Sequence, residues 1–238
     1  MAVRAFACYA DDRNKGFCVH CGGPDESRDH VPSKVLLDEP LPPNVMVSPS
    51  CAPCNQGFSL DEEYLACLIE CIVAGDVEPD KIERPKIAYI LRSNPRLVKT
   101  LRKAKLIGTD GQIRWHPNYD RVKKILMKLA RGHVAHELNE PRLDDPTVFV
   151  CKSLATMTFQ ERHDFETQPS GDISDAPFWP QVGSRAMQRL LIVDNVIYEE
   201  DWLTVQEGRY RFRVFDSDGG IGVRMVIREY LACEIVWD

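Results

Sequence analysis

Two Cys-x2-Cys pairs, Cys18/Cys21 and Cys51/Cys54, stand 29 residues apart and constrain this chain more than any other feature. Zinc takes four soft ligands at tetrahedral geometry, and a structural site draws all four from the protein. Four thiolates at this spacing make a complete Zn²⁺ site, so the first sixty or so residues are expected to fold around a metal. Between and beside the pairs lie Asp29-His30-Val31-Pro32, Asn44-Val45 and Asn55 directly after Cys54. With the four cysteines on zinc, Asp29, His30 and Asn55 are left for other chemistry. A neutral imidazole is a natural general base near pH 7. A carboxylate and an amide carbonyl are hard oxygen ligands suited to Mg²⁺ or Mn²⁺. Neighbouring strand residues face opposite ways, so Asp29 and His30 diverge unless the strand twists or ends, and Pro32 is consistent with an end. His20, inside the first knuckle, is read as incidental.

The stretch from Phe17 to Tyr64, with Asp29-His30-Val31-Pro32, Asn44-Val45-Met46-Val47 and Cys51-Ala52-Pro53-Cys54-Asn55, resembles the HNH endonucleases. That resemblance implies a ββα-metal (treble-clef) module built of a two-stranded hairpin and a helix. It implies His30 as general base, and Asp29 and Asn55 as ligands of a catalytic Mg²⁺ or Mn²⁺. Asn44 would fix the loop between the hairpin strands. Asn55 stands where many members carry His, which makes this an H-N-N variant. The plainer reading of Asn55 is a helix cap after Cys54. The plainer reading of the whole module is a non-catalytic zinc clef.

Composition narrows the setting. Of 238 residues, 44% are hydrophobic and 28% charged, as in ordinary globular proteins. No apolar run is long enough to span a bilayer, and the first residues lack a signal-peptide pattern. Nine cysteines leave Cys8, Cys67, Cys71, Cys151 and Cys233 beyond the zinc set. That odd, irregularly spaced remainder argues against a disulfide framework and for a cytoplasmic protein.

Net charge is −6, but it is unevenly spread. From Lys81 to Arg131, 15 Lys or Arg meet three acids, a net of +12, which leaves −18 for the rest of the chain. Such a block is the electrostatic footprint of phosphate binding. Its plainer reading is a solvated helical surface.

The punctuation divides the chain into a zinc-stapled module (1–75), a basic helical region (76–140) and an acidic, β-rich C-terminal region (141–238), an α+β architecture. Ser59 with Glu62 reads as a capping box for a helix ending at Gly75. Further helices are expected from Pro85, from Asn94-Pro95 to Gly108, and from Asn118. Thr109-Asp110-Gly111 reads as a turn into a short strand toward Trp115. On the last helix Arg121, Lys124, Lys128 and Arg131 form a basic stripe. With Arg102 and Lys103, they are the expected nucleic-acid contacts. His133, His136 and Glu137 fit no metal motif: His133 is expected to pack, and His136 to face solvent. Gln168–Pro180 reads as a linker. Gln188–Tyr198, Trp202–Val205, Arg209–Phe215 and Ile221–Trp237 read as strands, and Arg211, Arg213, Arg224 and Arg228 as a solvated, salt-bridged face.

The resemblance implies metal-dependent hydrolysis of DNA, double-stranded by expectation, with restriction or phage defence as a role. One such site cuts one strand per encounter, so double-strand cleavage calls for a homodimer or two visits. Two alternatives stand beside it. One is a non-catalytic nucleic-acid or protein adaptor on the same zinc clef. The other is a toxin-like effector whose nuclease is controlled by the C-terminal region.

Overall fold

A 23-residue helix, where two shorter pieces were expected, organises the first half of the chain. The computed structural model describes residues 15–43, 45–167, 185, 202–217 and 220–238. The expectations for Asn44, Cys8, the Gln168–Pro180 linker and the Gln188–Tyr198 strand fall outside those residues. Strands β1 (Ser27–Val31) and β2 (Met46–Ser50) pair antiparallel, with Asp29 opposite Ser48 and His30 opposite Val47. Helix α1 (Ala52–Ala74) starts two residues after β2. It runs straight through Ser59, so the Ser59/Glu62 capping box is not a helix start: the backbone there is already helical. The C-terminus is as expected. Gly75 adopts φ +67°, its N–H bonds Ile72 O, and the Asp76 N–H reaches Cys71 O. Glycine takes that left-handed geometry without a Cβ penalty.

The chain forms two compact units, residues 57–126 and residues 1–56 with 127–238. The divisions fall inside α1 and inside helix α4 (Tyr119–Leu138).

In the unit 57–126, α2 (Pro85–Ser93) and α3 (Pro95–Ala104) each begin with Pro, and the Asn94 side chain caps α3 by accepting from the Leu97 N–H at 3.1 Å. The third helix stops at Ala104, four residues short of Gly108, because the chain turns extended as β3 (Lys105–Ile107) and pairs with β4 (Ile113–Trp115). Tyr64, Leu65, Leu68, Ile87, Leu91, Leu101 and Ile125 are buried here. So are Cys67 and Cys71, whose thiol pKa values burial pushes up, Cys71 to about 12.

The other unit carries the hairpin, the rest of α4 (Tyr119–Leu138) and a five-stranded antiparallel sheet. Its order is β5 (Val148–Ser153), β9 (Leu231–Trp237), β8 (Gly220–Ile227), β7 (Tyr210–Ser217), β6 (Leu203–Gln206), with helix α5 (Phe159–Glu166) between β5 and β6 in the chain. The segment Ile221–Trp237, expected to be β-rich, forms a hairpin of β8 and β9 turned at Arg228 and Glu229, both with positive φ. β8 is buried along its whole length, as a central strand covered on both faces is. On one face Val226 and Ala232 pack with Leu154 and Phe165. On the other, the His133 ring stacks on Phe212 with centroids 3.6 Å apart and its Nε2 lies 2.7 Å from Tyr210 Oη. Arg213 and Arg224 are buried, not solvated: Arg224 pairs with Glu234, and both donate to Thr167 O. Arg211 is bidentate to Glu166 at 2.7 and 2.8 Å.

Burial holds the pKa of His133 well below its ordinary value. The native state therefore binds fewer protons than the unfolded chain below about pH 6.5, so stability falls as pH drops through that value. Urea unfolding at pH 7.5 and 5.5 is expected to lose up to about 1.4 kcal/mol per pH unit through this residue. A His133→Gln variant should lose that share of the slope. Equal slopes in the two proteins would refute the assignment.

Among the described residues no helix is long and apolar enough to cross a membrane.

Candidate functional site

Each Cys-x2-Cys pair is shaped by backbone N–H groups aimed at sulfur. In the first, a turn closed by Gly22 N–H to Cys18 O at 2.9 Å directs the His20 N–H at Cys18 Sγ, 3.4 Å away. Gly22 has φ +76°, which the turn requires. In the second, Cys51 follows β2 and Cys54 lies in the first turn of α1, so the Cys54 N–H reaches Cys51 Sγ at 3.4 Å. The four sulfurs lie within 4.8 Å of one another, and Cys21 and Cys51 are 3.6 Å apart. Tetrahedral Zn–S bonds of about 2.3 Å imply sulfurs about 3.8 Å apart, so the donor set fits zinc. Burial opposes ionisation of Cys18, yet backbone hydrogen bonds from Cys51, His20 and Cys21 lower its thiol pKa to about 7. A thiol so poised deprotonates readily when a cation arrives.

The hairpin beside this cluster separates Asp29 from His30. β1 keeps its alternation to Val31, so Asp29 and Val31 turn inward and are buried, while Arg28 is exposed and His30 half-buried. Asp29 was expected to ligate a divalent cation. Instead its Oδ2 accepts from His20 Nε2 at 3.1 Å, and its Oδ1 pairs with Lys128 Nζ at 2.8 Å. Burial opposes its charge, but the His20 hydrogen bond and the Lys128 ammonium hold the Asp29 carboxyl below the usual range. Both oxygens are therefore engaged inside the protein. His20, which seemed incidental, links the first knuckle to this buried carboxylate. Its signal in the sequence was a polar side chain set between two metal-ligating cysteines.

Lys128 was expected on a DNA-facing stripe. Its ammonium is buried and directs its three donors to Asp29, to Ser33 Oγ at 2.9 Å and to the His30 carbonyl at 3.0 Å. A lysine from α4 thus anchors the backbone that carries His30. Gly132, one turn later, lets α4 approach β1, for a Cβ there would meet Val31 Cγ2 at 2.5 Å. Arg131 and Arg121 are also engaged by the protein, whereas Lys124 stays exposed. Arg131 donates to the carbonyls of His20, Leu143 and Asp144, while Arg121 and Lys124 pair with Asp61. Helical periodicity groups these residues but does not say what their face meets. His136, expected in solvent, is half-buried against Glu137 at 3.2 Å.

Asn55 lies inside the first turn of α1 and is not its cap, because the helix starts at Ala52. Its Nδ2 donates to Ser27 Oγ and to Arg28 O, both at 3.2 Å, which ties the helix to β1.

Breaking the Asp29–Lys128 pair tests its weight. Lys128→Met would leave a buried carboxylate short of its cation, at a cost of about 3–5 kcal/mol. In a unit of this size that lowers Tm by on the order of 10 °C. Adding Asp29→Asn should recover part of the loss. A single variant with wild-type Tm would mean the pair is dispensable.

Compared with known proteins, the chain matches no family model, no curated protein and no solved structure.

Proposed function

We propose that the chain is an HNH-type endonuclease in which a structural zinc on Cys18, Cys21, Cys51 and Cys54 staples a ββα (treble-clef) module and His30 is the general base. One observation carries the reading. The β1–β2 hairpin leads directly into α1, the four thiols gather where they join, and Asn55 binds β1 at Arg28, two residues from His30. His30 then sits on the outward face of a strand whose inward neighbour, Asp29, is held by His20 and Lys128. In the proposed reaction His30 takes a proton from water as its oxygen attacks phosphorus. The P–O3′ bond breaks and the departing 3′-oxygen takes a proton from solvent water, leaving a 5′-phosphate and a 3′-hydroxyl.

The donor set expected for a catalytic Mg²⁺ or Mn²⁺ does not fit. Asp29 is committed to His20 and Lys128, and Asn55 offers one neutral amide oxygen, whereas Mg²⁺ sites are built around carboxylates. The buried Asp29 also favours a second reading, a zinc-stapled adaptor that binds nucleic acid without turnover.

Supercoiled plasmid decides between them. The zinc-loaded protein is incubated with and without Mg²⁺ or Mn²⁺, beside EDTA and a His30→Ala control. Nicked or linear product absent from the His30→Ala lane supports the nuclease, and the metal lanes report whether a cation is needed. Intact plasmid in every lane, with zinc and DNA binding retained, favours the adaptor.

A further inference from the structure

With Lys128 and Arg131 of the α4 stripe spent on internal partners, the basic block needs another outlet, and the unit 57–126 holds one. From Pro85 to His116 eight Lys or Arg stand against one acid, Asp110, a net of +7. Three of these cations are matched by the acidic segment before α2: Arg92 with Asp80 at 2.6 Å, Arg102 with Glu78 at 2.7 Å and Lys105 with Asp76 at 3.8 Å. Arg96, Lys99 and Lys103 make no ion pair among the described residues and are exposed. At i, i+3 and i+7 they form one stripe, roughly opposite the buried Leu97, Leu101 and Ala104.

The third helix passes without a linker into the β3–β4 ribbon, and the His116 N–H bonds Ala104 O at 2.7 Å, so the base of the ribbon is tied to the end of the helix. Near the ribbon's tip Ile107 and Ile113 are cross-strand partners on one face, 70% and 43% exposed. Ile113 lies against Gly75 while Ile107 is largely exposed, and an apolar tip on a ribbon that continues an unneutralised basic helix is a poor choice for a free surface and a good one for a grooved polyanion.

We propose that α3 and the β3–β4 ribbon are the surface through which this chain holds duplex DNA. Arg96, Lys99 and Lys103 lie along the phosphates, and the Ile107/Ile113 tip enters the minor groove as an apolar wedge. Groove-reading ribbons and apolar wedges that bend the duplex are both established devices of DNA-binding proteins. The wedge favours B-form DNA over duplex RNA, whose minor groove is wide and shallow. The proposal deepens the nuclease reading by naming its substrate surface, but it concerns binding alone and is tested without turnover.

The test measures affinity of His30→Ala protein for a 30-base-pair duplex across a salt series, with that protein as reference. Combining Arg96→Gln, Lys99→Gln and Lys103→Gln should flatten the slope of log K against log salt by about 3. Lys152→Gln, an exposed neutralisation on β5, should leave it unchanged. Ile107→Ser with Ile113→Ser should keep the slope and lose DNA bending, read by fluorescence transfer between the duplex ends. All six substituted positions are solvent-exposed, so unchanged circular dichroism and Tm confirm folding. An unflattened slope in the triple variant, or equal bending by the serine pair, overturns the proposal. So does no binding by the reference protein. Binding without cleavage by the wild-type protein overturns only the nuclease reading.

Discussion

Replacement of Cys51 by serine is expected to release zinc and melt the hairpin end of the chain. Cys51 sits where β2 stops and α1 begins, and its sulfur receives the Cys54 N–H while lying 3.6 Å from Cys21. The substitution removes a thiolate ligand and a backbone acceptor in one step. Residues 15–51 supply few large apolar side chains, so metal binding and folding are expected to be one equilibrium there. Structural zinc supplies about 10–16 kcal/mol in small zinc-dependent domains, more than the entire stability of many proteins. Metal analysis should fall from one zinc per chain to far less than one, and the thermal transition should broaden or move down by tens of degrees. Cys67→Ser is the control, a buried thiol outside the cluster that should keep its zinc. A Cys51→Ser protein with a full zinc complement and native Tm would remove the metal centre from the account.

The second large effect falls on chemistry and not on folding. His30→Ala should cut plasmid cleavage by about 10²–10⁴, the usual contribution of a positioned general base. Zinc content, Tm and duplex affinity should barely change, because the His30 carbonyl that Lys128 grips belongs to the backbone and survives the substitution. That contrast separates it from Lys128→Met, which should lower Tm and reduce activity through the position of His30. Activity that persists in His30→Ala would move the base elsewhere. A matching loss of zinc or Tm would make His30 a structural residue.

Local chemistry was legible where the signal was short-range. The cysteine spacing located the four-thiol cluster, and Asn94, Pro85, Pro95 and Gly75 marked helix ends correctly, because caps and left-handed termini depend on a few adjacent atoms. The failures are long-range. Asp29 meets Lys128 across 99 residues of chain, and no periodicity in either segment announces the pairing. The α4 stripe has the spacing of a solvent-facing surface, yet its residues turn to carbonyls and acids of other elements. Strand β5 and helix α5 were passed over although Thr158 and Glu161 form a complete capping box, a signal the sequence did carry. The Ser59/Glu62 pair shows the converse, a capping pattern inside a helix that starts seven residues earlier.

The alternation of β1 has a consequence for how this chain would change over generations. Residues 29 and 30 share one peptide bond but would answer to different selective pressures, one to the integrity of the fold and the other to whatever the outer face does. In a lineage that abandoned catalysis yet still needed the folded protein, position 30 would drift while position 29 held. Comparing the histories of two adjacent codons would then date the loss of an activity without an assay of either protein.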